Sequence, residues 1–209
     1  MPDESTAFHT KRPPLLTHIS GVILAGGKSS RYGKNKAFAQ IHGIPLIERV
    51  SGVLETLFRD LIIISNNPED YRHLGLPVFE DIKRGLGPLG GIMTALRTMT
   101  TPYGFVVACD MPFLKEKLIR HMISIMDAYD IVAPKMGWRI EALHALYSRK
   151  CLPHVESLIE SGQYQVARLF PMVSVRYVEE EEARIYDPKM ESLVNINRPE
   201  NIDKFNSAD

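Results

Sequence analysis

The chain has 209 residues, 44% of them hydrophobic, which is enough to bury a sizeable core in one domain or at most two. Its 25 Lys plus Arg balance 25 Asp plus Glu, which excludes the net basic field that holds nucleic acid non-specifically. The apolar run "LIIIS" at 61–65 is far too short to cross a membrane, and Cys109 and Cys151 show neither metal-ligand spacing nor a secreted disulfide pattern.

In chain order, residues 1–18 have no signal-peptide apolar region and read as a polar, Pro-containing tail expected to be disordered. Residues 19–209 are left as a single domain of a cytoplasmic protein with no membrane partner. Val22–Ala25 reads as a buried strand that ends in Gly26-Gly27, and "GGKSSRYGKNK" follows. Glycine lets backbone N–H groups approach a ligand, and successive N–H groups in such a turn make a concave anion site. Ser29 and Ser30 add hydroxyl donors, and Lys28, Arg31, Lys34 and Lys36 add charge. The competing reading, a strand-to-helix turn on a solvated basic surface, would win for a bare Gly-Gly but not for this set. A Walker loop is excluded because its first glycine would fall on Val22, and no Gly-x-Gly-x-x-Gly can be read from Gly26 to Gly33.

Beyond the loop, 45–58 carries an apolar stripe at helical spacing, and 61–65 and 77–81 read as strands. A helix over 89–99 is entered through glycine, and 105–109 is another buried strand. Cys109 is expected to pack at that strand's end rather than act as a nucleophile. A helix over 116–128, a strand over 130–134 and an extended segment over 141–148 follow. After them come a helix over 149–161 closed by Gly162 and final strands over 173–178 and 192–197. "EEEE" at 179–182 reads as a solvated loop. This alternation predicts an α/β fold: a three-layer, doubly wound, mostly parallel sheet with helices on both faces. In such folds ligands lie beyond the carboxyl ends of the strands. Gly26-Gly27, Asn66, Asp81, Asp110, Asn195 and Asn197 all fall at predicted strand ends, and are expected to converge on one crevice.

The opening loop "LAGGKSSRYGKNKA" resembles that of the sugar- and cofactor-nucleotidyltransferases, where it wraps a nucleoside triphosphate. "FED" (79–81), "GPLGGI" (87–92), "ACDMPFL" (108–114), "EALHALYSRKCLPHVESLIESG" (141–162) and "NINRPENI" (195–202) extend the resemblance over most of the chain from Gly21. Together they are most similar to the molybdenum cofactor guanylyltransferase family. Asn35 departs from the family, which often carries Asp there. The resemblance implies a Rossmann-like fold of the nucleotide-diphospho-sugar transferase type. It implies transfer of GMP from GTP to molybdenum-molybdopterin, with Mg²⁺ as cofactor and molybdoenzyme chaperones or apoenzymes as candidate protein partners. Two rivals stand beside it: a cytidylyl- or sugar-nucleotide transferase on the same scaffold, and a non-catalytic nucleotide-binding module. Gly26 argues against the cytidylyl branch, which commonly has Ala-Ala-Gly where this chain has Ala-Gly-Gly.

Carried onto this sequence, the nucleotide site comprises Leu24, Ala25, Gly26, Gly27, Ser29, Lys36, Asn66, Asp81 and Asp110. Lys36 is the expected phosphate cation, and Arg31 shares that work or holds the loop. Mg²⁺ takes one or two carboxylates plus phosphate oxygens and water, which suits an aspartate after a buried strand. The motif match favours that metal reading of Asp110 over a cap on the helix after it. Asp81 has a carboxylate able to accept from guanine's ring N–H and exocyclic amine together, against the competing reading of a surface turn acid beside Lys83 and Arg84. For the second substrate the candidates are Gly87, Pro88 and Gly90 at a helix start, His144, Asn195 and Asn197. Each has a structural alternative: a turn, a satisfied half-buried histidine, and turn formation before Pro199. Trp138 and Arg139 are similarly placed. The acceptor phosphate, with a second pKa near ~6, is largely dianionic at neutral pH and needs no catalytic base.

Overall fold

Branched apolar side chains at alternating positions dictate the sheet. In the computed structural model, which describes residues 14–26, 35–197, Ile202, Phe205 and Asn206, the first strand β1 is Leu16–Leu24. Ile19 and Ile23 face one apolar cluster, and Val22 and Leu24 face the other. The strand therefore starts inside the segment expected as tail: Leu16 N–H donates to Leu57 O (2.8 Å) and Leu16 pairs with Phe58, and after an irregularity the regular pairing runs on from Ile19.

A small hairpin follows, β2 (Gln40–Ile41) and β3 (Ile44–Pro45), and leads into α1 (Leu46–Glu55). The helix ends before 58, because Phe58 already begins β4 (Phe58–Ile64). Next come β5 (Val78–Phe79), α2 (Gly87–Thr98), β6 (Tyr103–Ala108) and α3 (Glu116–Ser124). The carboxyl half is β7 (Ile131–Met136), β8 (Arg139–Ile140), β9 (His144–Ser148), α4 (Leu152–Glu160), β10 (Val175–Glu179) and α5 (Glu180–Tyr186).

The main sheet runs β10-β7-β9-β6-β1-β4-β5, with β8 paired to β7. All neighbours on that path are parallel except β9, which is antiparallel to both β6 and β7. Helices α1, α3 and α5 pack on one face, burying Val50, Leu54, Leu118, Met122 and Ala183, while α2 and α4 bury Ile92, Leu96, Val155 and Leu158 on the other. This is the expected three-layer, mostly parallel α/β architecture. No helix among the described residues is long and apolar enough to cross a membrane.

Two elements differ from the sequence reading. Glu179–Glu182 is not a solvated loop: it enters α5, whose acidic first turn suits the positive end of the helix. Glu182 faces inward, taking both bonds from Arg176 (2.8 and 2.9 Å) and one contact with His121 (2.7 Å). Residues 192–197 form no strand. The buried carboxylate of Asp187 accepts from Glu191 N–H and Ser192 N–H, and so winds 191–193 into a 3₁₀ turn. The segment then crosses the carboxyl rim of the sheet, where Ile196 N–H donates to Asp110 O (2.9 Å).

Candidate functional site

The parallel strands β1, β4, β5 and β6 deliver their carboxyl ends to one rim, and the polar residues gather there. At the end of β1, Leu24 and Ala25 are buried and their backbone groups are used internally. Leu24 O accepts from Cys109 N–H, Ala25 N–H donates to Ile64 O, and the Tyr71 hydroxyl donates to Ala25 O (3.1 Å). They therefore fix the strand end and aim Gly26, which is exposed, outward. A Cβ built on Gly26 would lie 4.0 Å from Asp81 Oδ2, so glycine leaves that carboxylate uncovered. Gly27, Ser29 and Arg31 lie outside the described residues.

The loop re-enters at Asn35, and the departure from the family's aspartate has a structural counterpart. Asn35 Oδ1 caps the Lys36–Phe38 turn by accepting from Ala37 N–H (3.2 Å). Its Nδ2 donates to the Tyr71 hydroxyl (3.0 Å) and to Asp70 Oδ2 (3.1 Å). An aspartate could make the cap but not the two donations, and would face Asp70 as a like charge. Sequence reading missed this Asn35–Tyr71–Ala25 chain, since its parts are far apart in sequence. Burial pushes the Tyr71 hydroxyl up to about 12, keeping it a neutral donor.

Held by that cap, Lys36 Nζ donates to Asp110 Oδ2 at 2.6 Å and to Asn197 Oδ1 at 3.0 Å. The Lys36 and Asp110 side chains are only 16% and 18% exposed, so the pair is shielded but not sealed. Asp110 Oδ1 is buried and has no hydrogen-bond partner among the described residues. The capping alternative for Asp110 does not hold: α3 starts after Lys115 and has no side-chain cap. Asn195 is half-buried alongside, with no side-chain hydrogen bond among the described residues. Burial, with Asp110 beside it, pushes the Cys109 thiol up to about 12, which leaves no thiolate for nucleophilic work at neutral pH.

At the other side of the rim, Asn66 Nδ2 donates to Asp81 Oδ2 (2.8 Å) and Asn66 Oδ1 accepts from Asp81 N–H (3.3 Å). Asp81 Oδ1 is also buried without a partner among the described residues. The neighbouring Arg84 pairs with Glu80 instead, so Asp81 is no surface turn acid neutralised by its neighbours. Two orphaned carboxylate oxygens, Asp81 Oδ1 and Asp110 Oδ1, thus flank the strand bearing Gly26.

The second-substrate candidates divide. Gly87 and Pro88 are exposed at the first turn of α2, on this same rim. Gly90 is not: it is buried, and a Cβ there would meet Leu86 Cβ at 2.8 Å, so its glycine serves close packing of the preceding loop on α2. His144 is a correction as well. It is 0% exposed, lies edge-on to Phe105 with ring centroids 5.1 Å apart, and neither ring nitrogen has a hydrogen-bond partner among the described residues. Burial lowers its pKa to about 3, so it is a neutral core ring beneath the rim rather than part of the crevice or a satisfied histidine. Glu141 emerges in its place. It is 7% exposed, forms an ion pair with Arg139 (Nε to Oε1, 2.5 Å), and its pKa is raised by burial, against Arg139, with Asp110 near enough to raise it further.

A lysine paired to a strand-end aspartate, on the rim where β1 gives way to an exposed Gly26 and Asn66 holds Asp81, fits a nucleotidyltransferase on a Rossmann-like scaffold. Residues 21–177 match the MobA-like NTP transferase domain. The molybdenum cofactor guanylyltransferase of Desulfosudis oleivorans is 35% identical over 192 residues, spanning 91% of this chain and 95% of that one. A probable molybdenum cofactor guanylyltransferase of Pelotomaculum thermopropionicum is 37% identical over 189 residues, 90% of this chain and 92% of its relative. The solved molybdopterin-guanine dinucleotide biosynthesis protein A of Archaeoglobus fulgidus superposes with a TM-score of 0.78 at 25% identity, covering 90% of this chain and 96% of that one. A Thermus thermophilus 2-C-methyl-D-erythritol 4-phosphate cytidylyltransferase shares the fold alone, with a TM-score of 0.65 at 15% identity over 88% and 96% of the two chains. The chain belongs to the MobA-like NTP transferase family, in its molybdenum cofactor guanylyltransferase branch.

Proposed function

We propose that this protein transfers GMP from GTP to the terminal phosphate of molybdenum-molybdopterin, releasing pyrophosphate. The observation that carries the site assignment is Lys36 Nζ bridging Asp110 Oδ2 and Asn197 Oδ1 at the carboxyl rim of the sheet. An acceptor phosphate oxygen attacks the α-phosphorus; the bond from the α-phosphorus to the bridging oxygen breaks, and pyrophosphate leaves with that electron pair. Because the acceptor is a dianion, no side chain has to remove a proton. The chain's own contribution is positioning and charge: Lys36 offers an ammonium to the phosphate, and the rim holds the reactants in line. Arg31, from its place in the opening loop, is assigned to share that charge.

Asp110 fits a divalent cation. No cluster of three or more metal-ligating side chains occurs among the described residues, but Mg²⁺ asks for few, taking one or two carboxylates and completing its shell with phosphate oxygens and water. The orphaned Asp110 Oδ1 is such a carboxylate oxygen. When bound there the ion would neutralise charge on the triphosphate. Asp81 is assigned to read the base: a carboxylate whose Oδ1 has no partner among the described residues, and whose Oδ2 takes one bond from Asn66, has lone pairs left to accept from the donor pair that guanine has and adenine lacks.

The test is a thermal-shift panel of GTP, CTP, ATP and UTP with and without Mg²⁺, since a ligand bound only by the native state raises apparent stability. It is run beside an assay of pyrophosphate release with molybdopterin. Stabilisation by CTP equal to that by GTP transfers the assignment to the cytidylyl alternative, and nucleotide binding without any transfer would leave a binding module. Interaction with molybdoenzyme chaperones or apoenzymes belongs to the same reading, as the destination of the product.

A further inference from the structure

The chain's one tryptophan, Trp138, is 92% exposed and stacks on no other ring among the described residues. It sits at the tip of the β7–β8 hairpin, where Met136 pairs with Arg139 and only Gly137 and Trp138 make the turn. Gly137 has φ +58° at the first central position while Trp138 keeps a negative φ, the pattern of a II′ turn that matches strand twist. A two-residue turn of that kind fixes the backbone under the indole, so the ring is displayed rather than left on a loose loop.

Register places this tip beside the reaction centre. Val132 in β7 pairs with Leu146, and Leu146 pairs with Phe105 in β6, so β7 and β6 run level and in the same direction. Four residues on, Met136 is level with Cys109, and the turn projects past the sheet alongside Asp110. At this height the hairpin's own second arm takes the place of β9: Lys135 has Glu179 of β10 on one side and Ile140 of β8 on the other, so Arg139–Ile140 stand between β7 and the end of β6. The hairpin is also tied to the segment that follows it, because Arg139 forms an ion pair with the buried Glu141, Nε to carboxylate oxygen 2.5 Å, and Glu141 lies within the electrostatic reach of Asp110.

We propose that Trp138 is the stacking surface for the planar heterocycle of the acceptor, with the Arg139–Glu141 pair holding the hairpin at the distance that lets the acceptor's phosphate reach the Lys36–Asp110 end. This rests on the proposed function, in which that heterocycle is a pterin. An indole offers a broad π-face to any flat ring, and a stack of this kind recovers apolar area that Trp138 leaves in water.

The test compares Trp138→Ala and Trp138→Phe in the full chain, both expected to melt like the parent because the ring is 92% exposed. Trp138→Ala should raise the KM for molybdopterin about tenfold, the scale of losing one aromatic–base stack. The KM for GTP and kcat at saturating acceptor should stay unchanged, and phenylalanine should restore most of the loss. With one tryptophan, intrinsic fluorescence reports on this site alone: neopterin monophosphate should shield it from acrylamide, and inorganic phosphate should not. An unchanged acceptor KM in an active Trp138→Ala enzyme, or equal quenching with and without the pterin, overturns the proposal. So does a defect seen only when an apo-molybdoenzyme is added, which would make Trp138 a protein-docking residue. Absence of dinucleotide synthesis by the parent enzyme would instead defeat the function reading, and the quenching arm then decides Trp138 independently.

Discussion

Asp110→Asn separates the structural from the chemical work of the strand-end aspartate. In the parent, Oδ2 takes the Lys36 ammonium at 2.6 Å while Oδ1 is buried without a partner among the described residues. Asparagine can keep a carbonyl oxygen on Lys36 and turn its amide into the position of Oδ1. The hydrogen bond survives; the ability to ligate a cation does not. Lys36 loses a full counter-charge but keeps Asn197 Oδ1 at 3.0 Å and some contact with water. The stability cost should therefore be about 1–2 kcal/mol, below the ~3–5 kcal/mol of stranding one member of a fully buried pair. At this chain length that lowers Tm by several degrees, leaving the protein folded at assay temperature. Transfer should fall by about 10²–10³-fold, the loss typical of removing one main transition-state stabiliser. Melting curves, together with pyrophosphate release from GTP and molybdopterin across a Mg²⁺ titration, read both quantities. A folded Asp110→Asn protein turning over within a few-fold of the parent at saturating Mg²⁺ would refute the metal assignment.

Lys36→Ala should weaken GTP binding and transfer strongly while Lys28→Ala is mild, as measured by GTP affinity and turnover; equal losses would mean the loop acts only as diffuse charge. Lys36→Arg should recover charge but not activity, because a planar guanidinium cannot take the place of a compact ammonium between Asp110 and Asn197. Asp81→Ala should erase much of the preference for GTP over ATP and CTP, about 1–3 kcal/mol by analogy with bidentate base readout, in competition assays; an unaltered preference puts base recognition elsewhere. Gly90→Ala should cost about 1–3 kcal/mol in thermal melts through overpacking against Leu86, with substrate KM values near the parent's; a normal melt with a raised KM would return Gly90 to the crevice. His144 has its pKa depressed from 6.5 to about 3 by burial, so the unfolded chain binds the extra proton and stability is lost as pH falls from 6.5 toward 3. By pH 5 this costs roughly 2 kcal/mol, and His144→Leu should raise Tm more at pH 5 than at pH 7.5; equal gains at both would show that the ring is not neutral when buried.

The sheet and its polar carboxyl rim were legible because they rest on local patterns. Buried strands such as Val22–Ala25 and 105–109 announce themselves by continuous branched apolar residues, and the rule that ligands gather at strand carboxyl ends then points to Asn66, Asp81 and Asp110. Boundaries blurred where one pattern ran into another: Leu57 and Phe58 continue the stripe of α1 by spacing, yet Phe58 belongs to β4. Nothing in the sequence reveals that Glu182 turns inward, since its partners, His121 and Arg176, come from other elements of the fold. The 192–197 run has the composition of a strand but pairs with none among the described residues. The Asp187 carboxylate coils its start, and Asp110 O takes the Ile196 N–H. His144 shows the limit most directly. Sequence gives the ring and its motif, but only the tertiary register, which seats β9 antiparallel between β6 and β7, decides that it faces Phe105 inside the core rather than the crevice above. The residue types fix which chemistry is available; which of those groups reach the rim is set by strand pairing between distant segments, because a side chain's face follows from register and not from its neighbours in sequence.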